Sequence, residues 1–226
     1  PGDGAMAMEA ENGDEDGDEH GHGQGHDHDH DDHGHGHDHD DRHDFTDRVD
    51  RLEDPAQYEF LSAEELRTFL DPRPDWTVAD LGSGTGFYTD VYAPLVDTVY
   101  AVDAYAGMHD AYREKGAPDN VEFVEAEFAD VPLPDDALDA AVSLRTFHHG
   151  FDEALDEVAR LLAPGGRLVV LDWSGSGAGD RDRGPEPGHC YDLAEAQALL
   201  LDAGFRIVNA HERRETFVVV AVRRAD

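Results

Sequence analysis

Two stretches of this chain carry residue types that can do chemistry together. In Val78-Ala79-Asp80-Leu81-Gly82-Ser83-Gly84-Thr85-Gly86-Phe87-Tyr88 a hydrophobic run ends at a tight glycine turn, with Asp80 two places before the first glycine. The next hydrophobic run, Val99–Val102, ends on a second acid, Asp103. Glycines let a backbone turn sharply and approach a ligand, and an acid after the second strand accepts from ribose hydroxyls. This pairing is how α/β proteins hold a nucleoside cofactor. A later run leads into Ser143-Leu144-Arg145-Thr146-Phe147-His148-His149. Here Arg145 can bind an acidic acceptor or pair with a surface carboxylate. His148 and His149 can serve as a base or simply pack and hydrogen-bond in their loop.

Strands and helices that would position these residues alternate along the chain. A capping box, Ser62-Ala63-Glu64-Glu65, predicts a helix stopped near Pro72 and Pro74, after a polar lead-in over 47–60. Strands are expected at 77–81, 98–103, 121–125, 138–144 and 167–173, with helices from near Gly86, over 106–115 and over 151–162. Pro164-Gly165-Gly166 turns the chain into the fifth strand. A segment over 174–188, rich in Gly, Asp and Arg, is expected to be flexible and, with Asp172-Trp173, to lie over an acceptor. A second capping box at Asp192–Glu195 opens a helix that ends at Gly204. The last two strands, 205–210 and 216–223, are joined too tightly to be parallel. The expected fold is α/β: a Rossmann-like, doubly wound, mostly parallel seven-stranded sheet with one antiparallel strand near the edge. Ligands of such sheets bind beyond the carboxyl ends of the strands, which brings Arg145, His148 and His149 to the mouth of the site.

Several cofactor chemistries are excluded. Dinucleotide sites use G-x-G-x-x-G, whereas the sixth position here is Phe87. Asp80 would repel a pyrophosphate but suits a ligand with an ammonium group. The single lysine, Lys115, has Ala111 four places before it, so the tyrosine–lysine pair of short-chain dehydrogenases is missing. No Gly-Lys-Ser/Thr occurs, which removes a phosphate-binding P-loop.

Composition sets the remaining bounds. Residues 1–44 hold 16 acids, one arginine and 10 of the 15 histidines, with no apolar run. They are expected to be a disordered Asp/His/Gly-rich tail ahead of one domain over 45–226. That domain still carries 37 acids against 16 bases. Acid excess with almost no lysine resembles proteins of salt-loving microbes. It weighs against nucleic acid as a partner, since backbone binding needs clustered Lys and Arg, although high salt changes the electrostatic rules. Alternating His and Asp (His26, His28 and His30, then His37 and His39) could bind Zn, Ni or Cu loosely, or the tail could simply be solvated acid. Cys190 is alone, so no internal disulfide forms. The chain opens on Pro1, with Met6 and Met8 as candidate starts, and residues 1–30 show no secretory signal. The longest apolar run, 217–222, is too short for a membrane span, so a cytoplasmic protein is expected. Oligomeric state is not legible.

Asp80-Leu81-Gly82-Ser83-Gly84-Thr85-Gly86 resembles the D-x-G-x-G-x-G signature of class I S-adenosylmethionine-dependent methyltransferases. Other segments are similar in the same order: Asp103, the stretch from Glu125 to Pro134, Leu161–Leu168 around Pro164-Gly165-Gly166, and Ala203-Gly204-Phe205. The resemblance covers about residues 57–224 and is strongest for small-molecule enzymes of the quinone-biosynthesis (methyltransferase type 11) kind. It implies S-adenosylmethionine as cofactor. Asp80 would hold its amino group, and Gly82, Ser83, Gly84 and Gly86 would pass its backbone side. Asp103 and Ala104 would meet the ribose, and Glu127 and Phe128 would flank the adenine. Glu127 departs from the aspartate usual in the family.

The resemblance further implies in-line methyl transfer to a small-molecule acceptor, with Tyr58, Phe60, Phe87 and Tyr88 as candidate aromatic walls. Two alternatives stay open: a catalytically silent scaffold for a metal-binding tail, and a macromolecular methyltransferase. Against the latter, no Asn-Pro-Pro-Tyr element follows the fourth strand.

Overall fold

The computed structural model describes residues 37–176 and 183–225, with backbone only at 37–44 and 152. The chain divides into two units, Pro1–Asp38 and His39–Asp226, and the second carries the whole sheet. His26, His28 and His30 lie outside the described residues. His37 and His39 fall in a helix, but their side chains are not described.

Seven strands form one sheet: β1 (Thr77–Leu81), β2 (Thr98–Asp103), β3 (Val121–Glu125), β4 (Leu138–Leu144), β5 (Leu162–Trp173), β6 (Phe205–Glu212) and β7 (Thr216–Arg223). Their order is β3-β2-β1-β4-β5-β7-β6. Only β7 runs against its neighbours, one place in from the edge. The doubly wound sheet with one reversed strand is therefore as expected. Between β1 and β4 the chain order reverses, and this switch point opens a crevice beyond the strands' carboxyl ends.

Side chains alternate across the sheet and build a core on each face. Along β5, Leu168 and Val170 pack with Leu155 and Val158 of α5 (Phe151–Leu161) and with Leu200 of α6 (Leu193–Asp202). Val169 and Leu171 point the other way. They join Leu66 and Leu70 of α2 (Ala63–Leu70), Val91 and Tyr92 of α3 (Thr89–Tyr92), and Tyr112 of α4 (Ala106–Lys115). Both capping boxes form as read: Ser62 Oγ accepts from the Glu65 amide, and Asp192 accepts from the Glu195 amide.

Four local expectations are corrected. The polar lead-in is helical up to Leu52, the end of α1 (His37–Leu52). Its half-buried residues Phe45, Val49 and Leu52 recur at helical spacing, a stripe hidden among charges. The helix expected from Gly86 starts only at Thr89 and lasts four residues before a 3-10 turn at Ala93–Leu95, where Pro94 breaks the α pattern. β5 begins at Leu162, so Pro164-Gly165-Gly166 is a bulge within a paired strand. β6 extends to Glu212.

Candidate active site

The glycine turn is pinned to β2. The amides of Gly82 and Ser83 both donate to the Val102 carbonyl, at 2.8 and 3.0 Å. Gly82, Gly84 and Gly86 all have positive φ, where other residues are strained. Their surroundings differ. A Cβ on Gly82 would run into Thr146, whose hydroxyl donates to the Leu81 carbonyl and ties the ends of β1 and β4. On Gly86 it would run into the Tyr112 ring. On Gly84 it would meet only Leu52 Cδ1, at an ordinary contact distance of 3.6 Å.

A cavity of about 490 Å³ opens over this turn. Asp80, Gly82, Ser83, Gly84, Asp103, Ala104, Glu127 and Phe128 line it, together with Arg145, His148 and His149 from beyond β4. The structure thus brings together every site residue expected in the domain except Gly86, whose missing side chain serves packing against Tyr112. Of the aromatic candidates, Phe87 and Tyr88 line this cavity and Tyr58 does not. Among the described residues no cluster of His, Cys, Asp and Glu could hold a metal ion.

Asp103 is held by two amides. Gly84 N–H donates to one carboxylate oxygen and Tyr105 N–H to the other, each at 2.9 Å. Asp80 sits on the opposite strand face to Ala79 and Leu81, and is buried. The hydroxyls of Thr89 (2.5 Å) and Tyr92 (3.0 Å) both donate to its Oδ2. Burial pushes its carboxyl up to about 6, against those two hydrogen bonds, with the charges of Asp103 and Asp90 adding to the rise.

Beyond β4, His148 Nδ1 lies 2.8 Å from Asp172 Oδ1. Asp172 is buried and also accepts from the amides of His148 (2.8 Å) and Trp173 (2.6 Å). With Nδ1–H donated to this carboxylate, Nε2 keeps its lone pair and can accept a proton. The His149 ring lies tilted by 42° against His148, with centroids 4.0 Å apart. Burial and the His148 charge hold the pKa of His149 below the ordinary histidine value. Arg145 has a φ of 62° and a buried Nε without a hydrogen-bond partner among the described residues.

Sequence reasoning misses three contributors, Asp172, Arg48 and Leu52. The sequence places Asp172 with Trp173 over the acceptor; its place beside His148 follows from the pairing of Leu144 at the end of β4 with Leu171 of β5, which runs on two residues further. Arg48 and Leu52 of α1 close the cavity from outside the sheet; the stripe at Phe45, Val49 and Leu52 was the available signal.

The cavity can be tested for fit to a nucleoside ligand. Ser83 Oγ and Thr85 Oγ1 are buried within the turn and have no partner among the described residues. Gly84 leaves room for close approach, and Asp103 presents a preorganised acceptor. Donors and acceptors with open valences around an aromatic wall, Phe128, fit a ribose and a base.

Comparison with known proteins agrees. A methyltransferase domain family matches residues 79–170. The ubiquinone/menaquinone biosynthesis C-methyltransferase UbiE of Brucella canis is 37% identical over 115 residues, 45% of this chain and 41% of that one. Its namesake from Hahella chejuensis is 35% identical over 135 residues, 55% and 51% of the two chains. The chain thus spans about half the length of the curated relatives it matches. A crystal structure of a SAM-dependent methyltransferase from Aquifex aeolicus superposes with a TM-score of 0.70 at 30% identity, over 78% of this chain and 97% of that one.

Proposed function

Because the chain belongs to the class I S-adenosylmethionine-dependent methyltransferases, we propose that it methylates a small molecule seated between the glycine-turn cavity and Arg145. The observation that carries this reading is the convergence, in one cavity, of the glycine turn, Asp103, and a histidine held by a buried carboxylate. Relatives named for quinone biosynthesis support a small acceptor.

Asp103 would take the ribose hydroxyls of the cofactor, with Ala104 beside it. Glu127 and Phe128 would flank the adenine, and Gly82, Ser83 and Gly84 would pass the amino-acid end. Asp80 would sit beneath that end. When bound, the cofactor would supply an electrophilic methyl group on a sulfonium, with S-adenosylhomocysteine as the leaving group. The chain's own contribution is then alignment and proton removal. Arg145 and the aromatic walls orient the acceptor, His148 Nε2 receives its proton, and Asp172 stabilises the imidazolium that results. His149, its pKa held below the ordinary histidine value by burial, packs against that ring.

Calorimetry with S-adenosylmethionine tests the reading. Wild type should bind at micromolar affinity, and Asp103→Ala should bind about 100-fold more weakly or worse, since a charged acceptor of two hydroxyls is lost. Equal affinity of the two proteins would overturn it.

Two further readings concern the rest of the chain. The acid excess adapts the surface to concentrated salt. The histidines at 26, 28, 30, 37 and 39 bind Zn, Ni or Cu loosely, and dialysis of full-length protein against zinc should show several weak sites.

A further inference from the structure

A second cavity, of about 710 Å³, lies beside the first and shares Arg48, Leu52, Arg145 and Trp173 with it. Its wall reverses the charge of the molecule. The chain has 53 acids and 17 bases, yet this cavity is lined by four arginines (48, 51, 145 and 183) and, among the described residues, one acid, Asp54.

The arginines are not equivalent. Arg183 is neutralised by Glu59 at 2.9 Å and Glu215 at 3.5 Å. Asp54 is occupied in accepting from the Ala56 amide. Arg48, Arg51 and Arg145 make no ion pair among the described residues. Two guanidinium groups approach the Phe60 ring, Arg183 at 4.3 Å and Arg145 at 5.6 Å from its centroid, and the ring meets Trp173 edge-on at 4.9 Å. These contacts hold Arg145 over an aromatic floor while leaving its Nε unpaired.

Guanidinium donors without an ion-pair partner among the described residues, beside aromatic rings, are the chemistry that recognises a planar anion. In a chain of net charge −36, an anionic ligand would be repelled from most of the surface, so a local basic patch must outweigh that field to admit one. We infer that the acceptor carries an oxyanion, a carboxylate or a phosphate, on or next to a ring. The anion lies against Arg145, Arg48 and Arg51, and the ring sits in the cavity beside the edges of Phe60 and Trp173 with the methylated atom toward His148. The inference rests on the methyltransferase reading and adds the acceptor's charge to it.

The test uses the full chain saturated with S-adenosylhomocysteine, at about 150 mM salt so that long-range repulsion is screened. Benzoate, phenyl phosphate, benzamide and benzylamine are titrated separately by calorimetry. One of the two anions should bind about tenfold or more tightly than benzamide, and which one identifies the oxyanion; benzylamine should give no heat. Arg145→Gln should abolish the preference. Arg51→Gln, at an exposed residue that lines only this cavity, should reduce it about threefold without disturbing the fold. Benzamide binding as well as the anions, or no ring compound binding at all, overturns the inference. Failure to bind S-adenosylhomocysteine would instead break the underlying methyltransferase reading, so the two failures are distinct.

Discussion

The two cavities that meet at Arg145 are built in opposite ways. The inner one is made by backbone: a seven-residue turn, the ends of β1 and β2, and amides that aim Asp103. The outer one is made by side chains from segments far apart in sequence: α1, the 3-10 turn at Pro55–Glu59, the end of β4, and the residues around Trp173 and Arg183. The inner wall holds three acids, Asp80, Asp103 and Glu127, whereas the outer wall is basic. Backbone cradles suit a ligand that stays constant across a family. Side-chain walls can change one residue at a time and so can set the acceptor.

The largest effect expected separates glycines that serve the ligand from one that serves the fold. Gly86→Val should cost about 3 kcal/mol or more, because both its positive φ and the Tyr112 ring oppose a side chain. A fall in the urea midpoint would show this without any ligand. Gly84→Ala, whose Cβ would make only an ordinary contact with Leu52, should cost only about 1 kcal/mol of backbone strain and act mainly on cofactor affinity. If both variants weakened binding and left stability untouched, the distinction between a packing and a cradling glycine would fail.

Next in size is the His148–Asp172 pair. Replacing Asp172 by Asn puts an amide donor where the imidazole N–H now donates. Nitrogen NMR should report Nδ1–H for His148 in the wild type and the other tautomer in D172N. Turnover should fall about 100-fold, with S-adenosylmethionine affinity unchanged. An unaltered tautomer would make the pair merely structural.

These sites differ in how far the sequence discloses them. β1, β2, β3, β4, α4 and β7 were legible to the residue, because alternating or continuous apolar runs stop at acids, glycines and prolines. The inner cavity was legible because Asp80 to Gly86 is a local motif and Asp103 ends the next strand. Gly86 looked like part of the cradle since spacing alone cannot show Tyr112 behind it. The outer cavity was mostly hidden. Arg48, Arg51 and Arg183 are ordinary surface residues until tertiary packing places them around Phe60, and α1 presents a narrow apolar stripe in a charged segment. For Arg145 the sequence left two partners open, an acid of the protein or an acid of the ligand, and no carboxylate of the described residues pairs with it.

Asp80 gives a smaller effect with a defined sign. Its carboxyl, pushed up to about 6, binds a proton more tightly in the folded chain than in the unfolded one, where such groups titrate at about 3.9. The folded state therefore holds more protons between those values. Stability due to this group is full below about pH 4 and declines as pH rises through about 6. Asp80→Asn removes the decline, since the amide oxygen can still accept from Thr89 and Tyr92. Urea melts should show the variant more stable by about 1–3 kcal/mol at pH 7, with little gain at pH 4.5. Cofactor affinity should fall in the same protein. A variant less stable at pH 7 would mean that the hydroxyls need the charge, and Asp80 would then be a structural acid rather than a strained functional one.

The smallest effect bears on the wall the cavities share. Leu52 is half-buried, lines both, and has its Cδ1 3.6 Å from where a Cβ on Gly84 would stand. Leu52→Ala removes apolar surface that both ligands would cover, worth about 1 kcal/mol at partial burial. Affinities for S-adenosylhomocysteine and for the preferred benzoate or phenyl phosphate should each drop about fivefold. The two losses should shrink when both ligands are present, because each then covers what the leucine covered. Independent losses would mean that α1 closes two separate sites. Coupled losses would make it one wall through which cofactor and acceptor sense each other.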